Sequence, residues 1–246
     1  NPGISSLRWA ADGRRFALQN QGADGIELWV GETAGAKIRR IPDLKVNPVL
    51  WSEMAWMPDQ KRLLVKCVPP GRGDPPAPPA VPEGPKVRES QGGSASSTYE
   101  ARDVLTSPHD EALFEHYATS QLALVDAESG RVTPLGEPGV LSTVDPSPDG
   151  RQILALRIRK PWSYLHAFYR FPYDVEILDL SGRVVHVAAR IPLADHVPIH
   201  GVPEGPREHE WRPTEPATLK YARARFCGVA RGPCISPART KAWKAS

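Results

Sequence analysis

Apolar residues in this chain come in short bursts behind clusters of turn formers, not at the spacing of long helices. The stretch DPSPDGRQILAL, Asp145 to Leu156, sets the pattern. Pro148 holds φ near the value a tight turn needs, Asp149 can bond its own backbone two residues on, and Gly150 supplies positive φ. Behind them Ile153, Leu154 and Leu156 suit a short strand. The unit is a turn feeding a strand, and it recurs. RWAADGRRFAL begins at Arg8, AWMPDQKRLLV at Ala55 and VDPSPDGRQILAL at Val144, with a degraded copy, EWRPTEPATLKY, at Glu210. Between the copies runs a second motif, apolar alternation into a Gly-centred hairpin: IELWVGETAGAKIRRI, LALVDAESGRVTPL and VEILDLSGRVVHVA. In the last two, Asp126 or Asp179 precedes a turn closed by Gly130 or Gly182, the signature of a two-strand hairpin.

Spacing decides the architecture. Asp12 to Asp59 is 47 residues, and Asp59 to Asp149 is 90. A period near ~45 residues with four strands per unit is the mark of a β-propeller blade. The alternative is a β-sandwich with similar hairpins; the fixed order of the two motifs favours the propeller. The predicted fold is therefore all-β, an open propeller of about four blades. Two segments break the rhythm. Pro69 to Pro85 holds eight prolines in 17 residues, a stiff, solvated surface excursion. SPHDEALFEHYAT then predicts a short helix: Ser107 caps it, Pro108 fits its first position, Asp110 and Glu111 suit its positive end, and Leu113, Phe114 and Tyr117 share a face. The chain divides into blades over 1–68, a Pro-rich and short-helical insertion over 69–120, blades over 121–219 and a basic tail over 220–246.

Charge changes the picture only by where it lies. The net +3 comes from the tail, where Lys220 to Ser246 carries seven Lys or Arg and no acid. The rest has 24 basic against 28 acidic residues, so no basic groove for nucleic acid is expected. No run of 18 apolar residues predicts a membrane span, and no signal peptide is visible at the start. Cys67, Cys227 and Cys234 have neither zinc-type nor thioredoxin-type spacing, and a Cys227–Cys234 pair is a minor alternative. No cofactor or metal is implied.

The segments WMPDQKRLLVKCVPPGRGDPP, SPHDEALFEHYATSQLALVD, LSTVDPSPDGRQILAL and RKPWSYLHAFYRFPYDVEILDL carry a resemblance. Through them the chain from about Asn1 to Leu219 resembles the N-terminal propeller of the prolyl oligopeptidase family of serine peptidases, in its glutamyl endopeptidase-like branch. The helical insertion joined to YATSQLALVD, and the aromatic SYL…YRFP run, are its specific parts. The resemblance implies a ring of seven or eight blades followed by an α/β-hydrolase domain with a Ser-Asp-His triad. It implies too that the propeller caps the active site, helps bind peptide and restricts access. The triad has no match here. A nucleophile elbow needs Gly-x-Ser-x-Gly on a strand-to-helix turn, and GGSASS from Gly92 lacks the last Gly. The hydrolase domain is thus expected to be absent from this chain, which is expected to be inactive alone. The resemblance suggests a periplasmic or exported protein.

One stretch carries candidate chemistry. WSYLHAFYRFPY, Trp162 to Tyr173, places six of the 18 aromatics in 12 residues beside Arg157, Arg159, Lys160 and Arg170. One reading is core packing between blades. The other is a loop facing the hydrolase domain, where a cation meets the carboxylate of a glutamyl substrate, a task whose bidentate geometry suits Arg. On that reading Arg159, Tyr164, Tyr169 and Arg170 face the peptide. His196, His200 and His209 cluster in sequence, but Pro198 denies the first two a helix, and they read as solvated loop histidines.

From Lys220 the acids vanish, two cysteines fall within eight residues and periodicity is lost. The change predicts a truncation or a shifted reading frame after about Leu219; the alternative is a basic tail for acidic partners. The opening directly on a turn-strand unit predicts missing residues before Asn1. A part-ring with unpaired edges should be marginally stable alone. Two functions follow: a non-catalytic propeller fragment of a peptidase, or a freestanding propeller that binds a protein or peptide and must complete a ring or dimerise to one.

Overall fold

The computed structural model describes residues 3–51, 54–80, 103–197, 205–223 and 243–244. GGSASS from Gly92, His200, Cys227, Cys234 and most of the basic tail lie outside them. The strands follow one another as antiparallel meanders. Blade 1 holds β1 (Gly3–Trp9), β2 (Arg15–Gly22), β3 (Gly25–Glu32) and β4 (Lys37–Val46). Blade 2 holds β5 (Met54–Trp56), β6 (Arg62–Cys67), β7 (Thr119–Asp126) and the front of β8 (Val132–Pro146). The rear of β8 opens blade 3, followed by β9 (Gln152–Ile158), β10 (Tyr173–Asp179) and β11 (Val184–Ile191). A separate three-stranded sheet of β12 (Pro206–Trp211), β13 (Thr218–Arg223) and β14 (Trp243–Lys244) forms blade 4. The described residues form an open propeller of four blades.

The turn motif does the same job in blades 1 to 3. It joins the first strand to the second. Its Asp accepts a backbone N–H two residues on: Arg14 N to Asp12 at 2.9 Å, Lys61 N to Asp59 at 2.9 Å, Arg151 N to Asp149 at 3.1 Å. The next residue is left-handed each time, Gly13 at φ 66°, Gln60 at 55° and Gly150 at 68°. Gln60 tolerates this because its side chain donates to the carbonyls of Met57 and Pro58 and accepts from Ala11 N of blade 1. The hairpin motif joins the third strand to the fourth. Asp126 and Asp179 accept from the turn N–H groups of Ser129 and Ser181. Gly182 is needed for a second reason: a Cβ there would stand 2.1 Å from the Gly136 nitrogen, where β8 bends between its two blades.

Blades stack through the faces that strand alternation points sideways. Ala17, Val30 and Ile41 of blade 1 pack on Leu63, Val65 and Val125 of blade 2. Leu64, Leu122 and Leu124 on the other side of blade 2 meet Ile153, Ala155 and Leu178 of blade 3. Leu154, Val175 and Ile177 meet Trp211 and Leu219 of blade 4. Each such side chain removed from water stabilises the stack by about 1.5–3 kcal/mol. Two indoles also pin blade to blade. Trp56 Nε1 donates to Arg8 O, and Trp211 Nε1 to Asp145 O, both at 3.0 Å.

Candidate functional site

Because each blade is a meander, opening turns and hairpins lie at one end, and second-to-third connections and blade crossovers lie at the other. The second end is where the chain departs from its repeat. In blade 1 the connection is the tight turn from Gly22 to Gly25. In blade 2 it runs from Val68 to Ala118 and contains the Pro-rich excursion and the helix. In blade 3 it runs from Arg159 to Pro172 and contains the aromatic stretch.

The helix, α1 (Pro108–Ala118), starts as its residues dictate. Ser107 Oγ accepts Asp110 N at 3.1 Å, Pro108 occupies the first turn, and Thr106 donates to Asp110. Those bonds from Thr106 hold the Asp110 carboxyl below its ordinary value. Phe114 seats edge-on against Trp162 at 5.2 Å and Phe171 at 5.4 Å. Tyr117 does not share that buried contact; it stands exposed against His116, because the helix ends one residue later as the chain turns into β7. The two long connections are thereby fused through a cluster with Ala118, Val140 and Ile158 beneath. Lys160 adds an ion pair to Glu115 at 2.9 Å and lies over the Trp162 ring.

Two buried polar side chains hold the neighbouring crossover. Lys66 has no exposed surface, and its Nζ donates to the carbonyls of Val49 (3.1 Å), Trp51 (2.6 Å) and Leu141 (3.1 Å). Asn47 donates to the carbonyls of Tyr117 and Thr119 while accepting from Val49 N. Arg72, in the Pro-rich connection, also donates to Thr119 O. Burying an ammonium demands such partners, since its desolvation costs several kcal/mol. The result is a firmly held crossover that presents Trp51, 56% exposed, against Phe168 with ring centroids 5.0 Å apart. Tyr169 adjoins Phe168 at 6.0 Å.

The four side chains read from the sequence share the blade 3 connection or its first residue, with different surroundings. Tyr169 is 58% exposed, at the rim of the ring cluster. Tyr164 and Arg170 are half-buried in the same connection. Arg159 turns back onto β10: Nε donates to Asp174 at 3.0 Å and Nη2 to Glu176 at 2.9 Å. The aromatic run divides its labour, Trp162 and Phe171 packing inward and Tyr169 facing solvent. Trp51 was not legible as part of this surface, since it lies in another blade's crossover and only the stacking of blades brings it to Phe168.

His196 and His209 differ in their surroundings. His196 is exposed. His209 is buried in β12, stacked on Tyr221 at 5.5 Å, and burial lowers its pKa from 6.5 to about 4. It is therefore not a solvated loop residue. Burial likewise pushes the Cys67 thiol up to about 12, which makes it unreactive. Among the described residues no three His, Cys, Asp or Glu side chains converge, and no helix is long and apolar enough to cross a membrane.

No family model matches the chain. It is 31% identical over 239 residues to a probable chloroplastic glutamyl endopeptidase of Oryza sativa subsp. japonica, covering 93% of this chain and 25% of that protein. It is 32% identical over 226 residues to the protein of the same name in Arabidopsis thaliana, covering 88% and 23%. The chain thus spans about a quarter of the length of these curated relatives. Among solved structures it resembles the β-propeller domain of the Trilobed protease from Pyrococcus furiosus, described as having an open velcro topology. The TM-score is 0.50 at 10% identity, covering 94% of this chain and 51% of that one. At that identity the likeness shows the fold alone. The chain is similar to about a quarter of two probable glutamyl endopeptidases, and its fold is that of a β-propeller.

Proposed function

We propose that this chain is the non-catalytic propeller portion of a prolyl oligopeptidase-like serine peptidase, and that the end carrying its long connections meets the peptide substrate and gates its approach. The observation that carries the reading is the fusion of the blade 2 and blade 3 connections through Phe114, Trp162 and Phe171. Both insertions fall on one end, and rigid cores beneath them hold aromatic and cationic side chains at the surface. Arg159, Tyr164, Tyr169 and Arg170 are the proposed contacts. Arg159 contributes through the edge of its guanidinium that Asp174 and Glu176 leave to solvent, since Nη1 is not used in those bonds. Arg suits a substrate carboxylate because its fork matches two oxygens at once.

The test is a titration of the 246-residue chain with two pentapeptides identical except for a central Glu or Gln, followed by mass spectrometry of the peptides. The expected result is preference for the Glu peptide, lowered by Arg170→Ala, with both peptides recovered intact. Equal affinity for the two in the parent chain removes the carboxylate contact. Cleavage by the purified chain overturns the non-catalytic assignment.

A further inference from the structure

At the end that carries the long connections, large aromatic side chains stay in water on firmly anchored backbone. Trp51 and Tyr169 are each more than half exposed. Phe168 touches both, with ring centroids 5.0 Å from Trp51 and 6.0 Å from Tyr169, so the three rings form one shelf. Each side of the shelf has its own anchor. Beneath Trp51, the Lys66 ammonium donates to the carbonyls of Val49 and Trp51. Beneath the other two rings, a short 3-10 turn closes through Arg170 N to Ala167 O and Phe171 N to Phe168 O. Earlier in the same connection, the fully buried Ser163 accepts the N–H groups of Leu165 and His166 at 3.0 Å. Its hydroxyl donates to Asp195 at 2.6 Å, which ties the connection to the chain leaving blade 3. Rings held in place before a ligand arrives lose little freedom when it settles on them. Trp and Tyr are also the residues in which binding energy concentrates.

Charge decides what such a shelf takes. Adjoining aromatic rings can hold a cation against their faces. The surroundings here oppose that use. The connection from Arg159 to Pro172 carries Arg159, Lys160 and Arg170 and no Asp or Glu. Cations are also the charges that it turns to water. The side chains of Arg159 and Lys160 are about half exposed, whereas Asp174 and Glu176, which hold Arg159 from β10, are largely covered. Glu115 is engaged by Lys160 at 2.9 Å. A positively charged ligand group is repelled at this surface, and a neutral apolar one is not. An apolar side chain gains by leaving water for the rings, while a carboxylate on the same ligand meets the cations. Tyr169 precedes Arg170 directly, so the shelf and the cationic connection adjoin.

We infer that the Trp51–Phe168–Tyr169 shelf is a second recognition element for the peptide, and that it takes a large uncharged apolar side chain two residues away from the glutamyl residue. This rests on the reading that the same end of the propeller meets a glutamyl peptide. An extended peptide points alternate side chains to one face. The residue two positions from the Glu, about 6.6 Å along the chain, therefore faces the same surface as the carboxylate, and the residue between them faces away. The ligand class is an acidic peptide that pairs a Glu with an aromatic or long aliphatic residue at that spacing.

Calorimetric titration of the full chain with three pentapeptides tests it: Ala-Ala-Glu-Ala-Ala, Phe-Ala-Glu-Ala-Phe and Lys-Ala-Glu-Ala-Lys. Placing the flanking residue on both sides covers both directions in which a peptide can lie. The Phe-flanked peptide should bind about two- to tenfold more tightly than the Ala-flanked one, the weight of one aromatic contact. The Lys-flanked peptide should bind no more tightly than the Ala-flanked one. Trp51→Ala should abolish the difference between the Phe- and Ala-flanked peptides, and Trp51→Phe should keep most of it. A merely structural loss would weaken both peptides together and leave their ratio unchanged. Far-UV circular dichroism checks that each variant is folded. Equal affinity for the Phe- and Ala-flanked peptides in the parent chain, tighter binding of the Lys-flanked peptide, or a Phe preference that survives Trp51→Ala overturns the shelf. The underlying reading fails separately: equal binding of Ala-Ala-Glu-Ala-Ala and Ala-Ala-Gln-Ala-Ala overturns the carboxylate contact, and with it the spacing.

Discussion

Glu176 is the most demanding residue in blade 3. It lies on β10 with 3% of its side chain exposed and accepts Arg157 Nε at 2.8 Å and Arg159 Nη2 at 2.9 Å. The two arginines differ. Arg157 is 15% exposed and lies over Gly139 of β8, where an added Cβ would stand 1.9 Å from its Nη1. Arg159 is 48% exposed and keeps Asp174. Glu176→Ala therefore strands the Arg157 cation in the joint between blades 2 and 3, and such stranding costs about 3–5 kcal/mol. The loss at Arg159 adds at most about 1 kcal/mol, because solvent screens it. Against a typical domain stability of roughly 5–15 kcal/mol this is a large fraction. Urea unfolding followed by circular dichroism should show the midpoint falling steeply for Glu176→Ala with an unchanged slope. Arg159→Ala should move it little. The double variant Arg157→Met/Glu176→Leu should recover most of the loss, since it removes both buried charges together. A Glu176→Ala penalty below about 1 kcal/mol would refute the reasoning, because it would mean that Arg157 reaches water without the carboxylate.

His209 should make stability depend on pH. Its folded value, about 4, lies below its ordinary 6.5, so the unfolded chain takes up the proton first. The neutral ring's contribution is complete above pH 6.5 and is lost as pH falls towards 4. His209→Phe should flatten the urea midpoint across that window, and an unchanged profile would remove His209 as the cause. At the hairpin of blade 3, Gly182→Ala meets the Gly136 backbone and should cost at least about 2 kcal/mol, whereas Gly13→Ala, left-handed but in open space, should cost about 1 kcal/mol. Equal midpoints for the two would show that the close approach of β8 relaxes freely. Ser107→Ala removes the cap of α1 and should cost about 1 kcal/mol, read as faster amide exchange in Asp110 and Glu111 with blade 1 unaffected.

Local chemistry was legible in the residues themselves. The turn aspartates, the left-handed positions after them, the hairpin glycines and the Ser107–Pro108 helix start act through bonds spanning two to five residues, so a short quotation contains the whole cause. The period of the motifs then carried the propeller, since a repeating meander has few ways to bury both faces of its sheets. What the tertiary structure decided depends on which strands become neighbours. Glu176 in VEIL reads as a solvent-facing position, yet stacking on blade 2 buries it and recruits Arg157 and Arg159. Lys66 lies in an apolar strand, and only the crossover folded over it supplies carbonyls from Val49 and Trp51. Phe114 finds Trp162, and Trp51 finds Phe168, across gaps of 48 and 117 residues that no local pattern spans. Trp56 and Trp211 follow the same rule: their shared position before the turn was repeated in plain sight, but the hydrogen bonds that they make to the preceding blade form only after the blades have stacked.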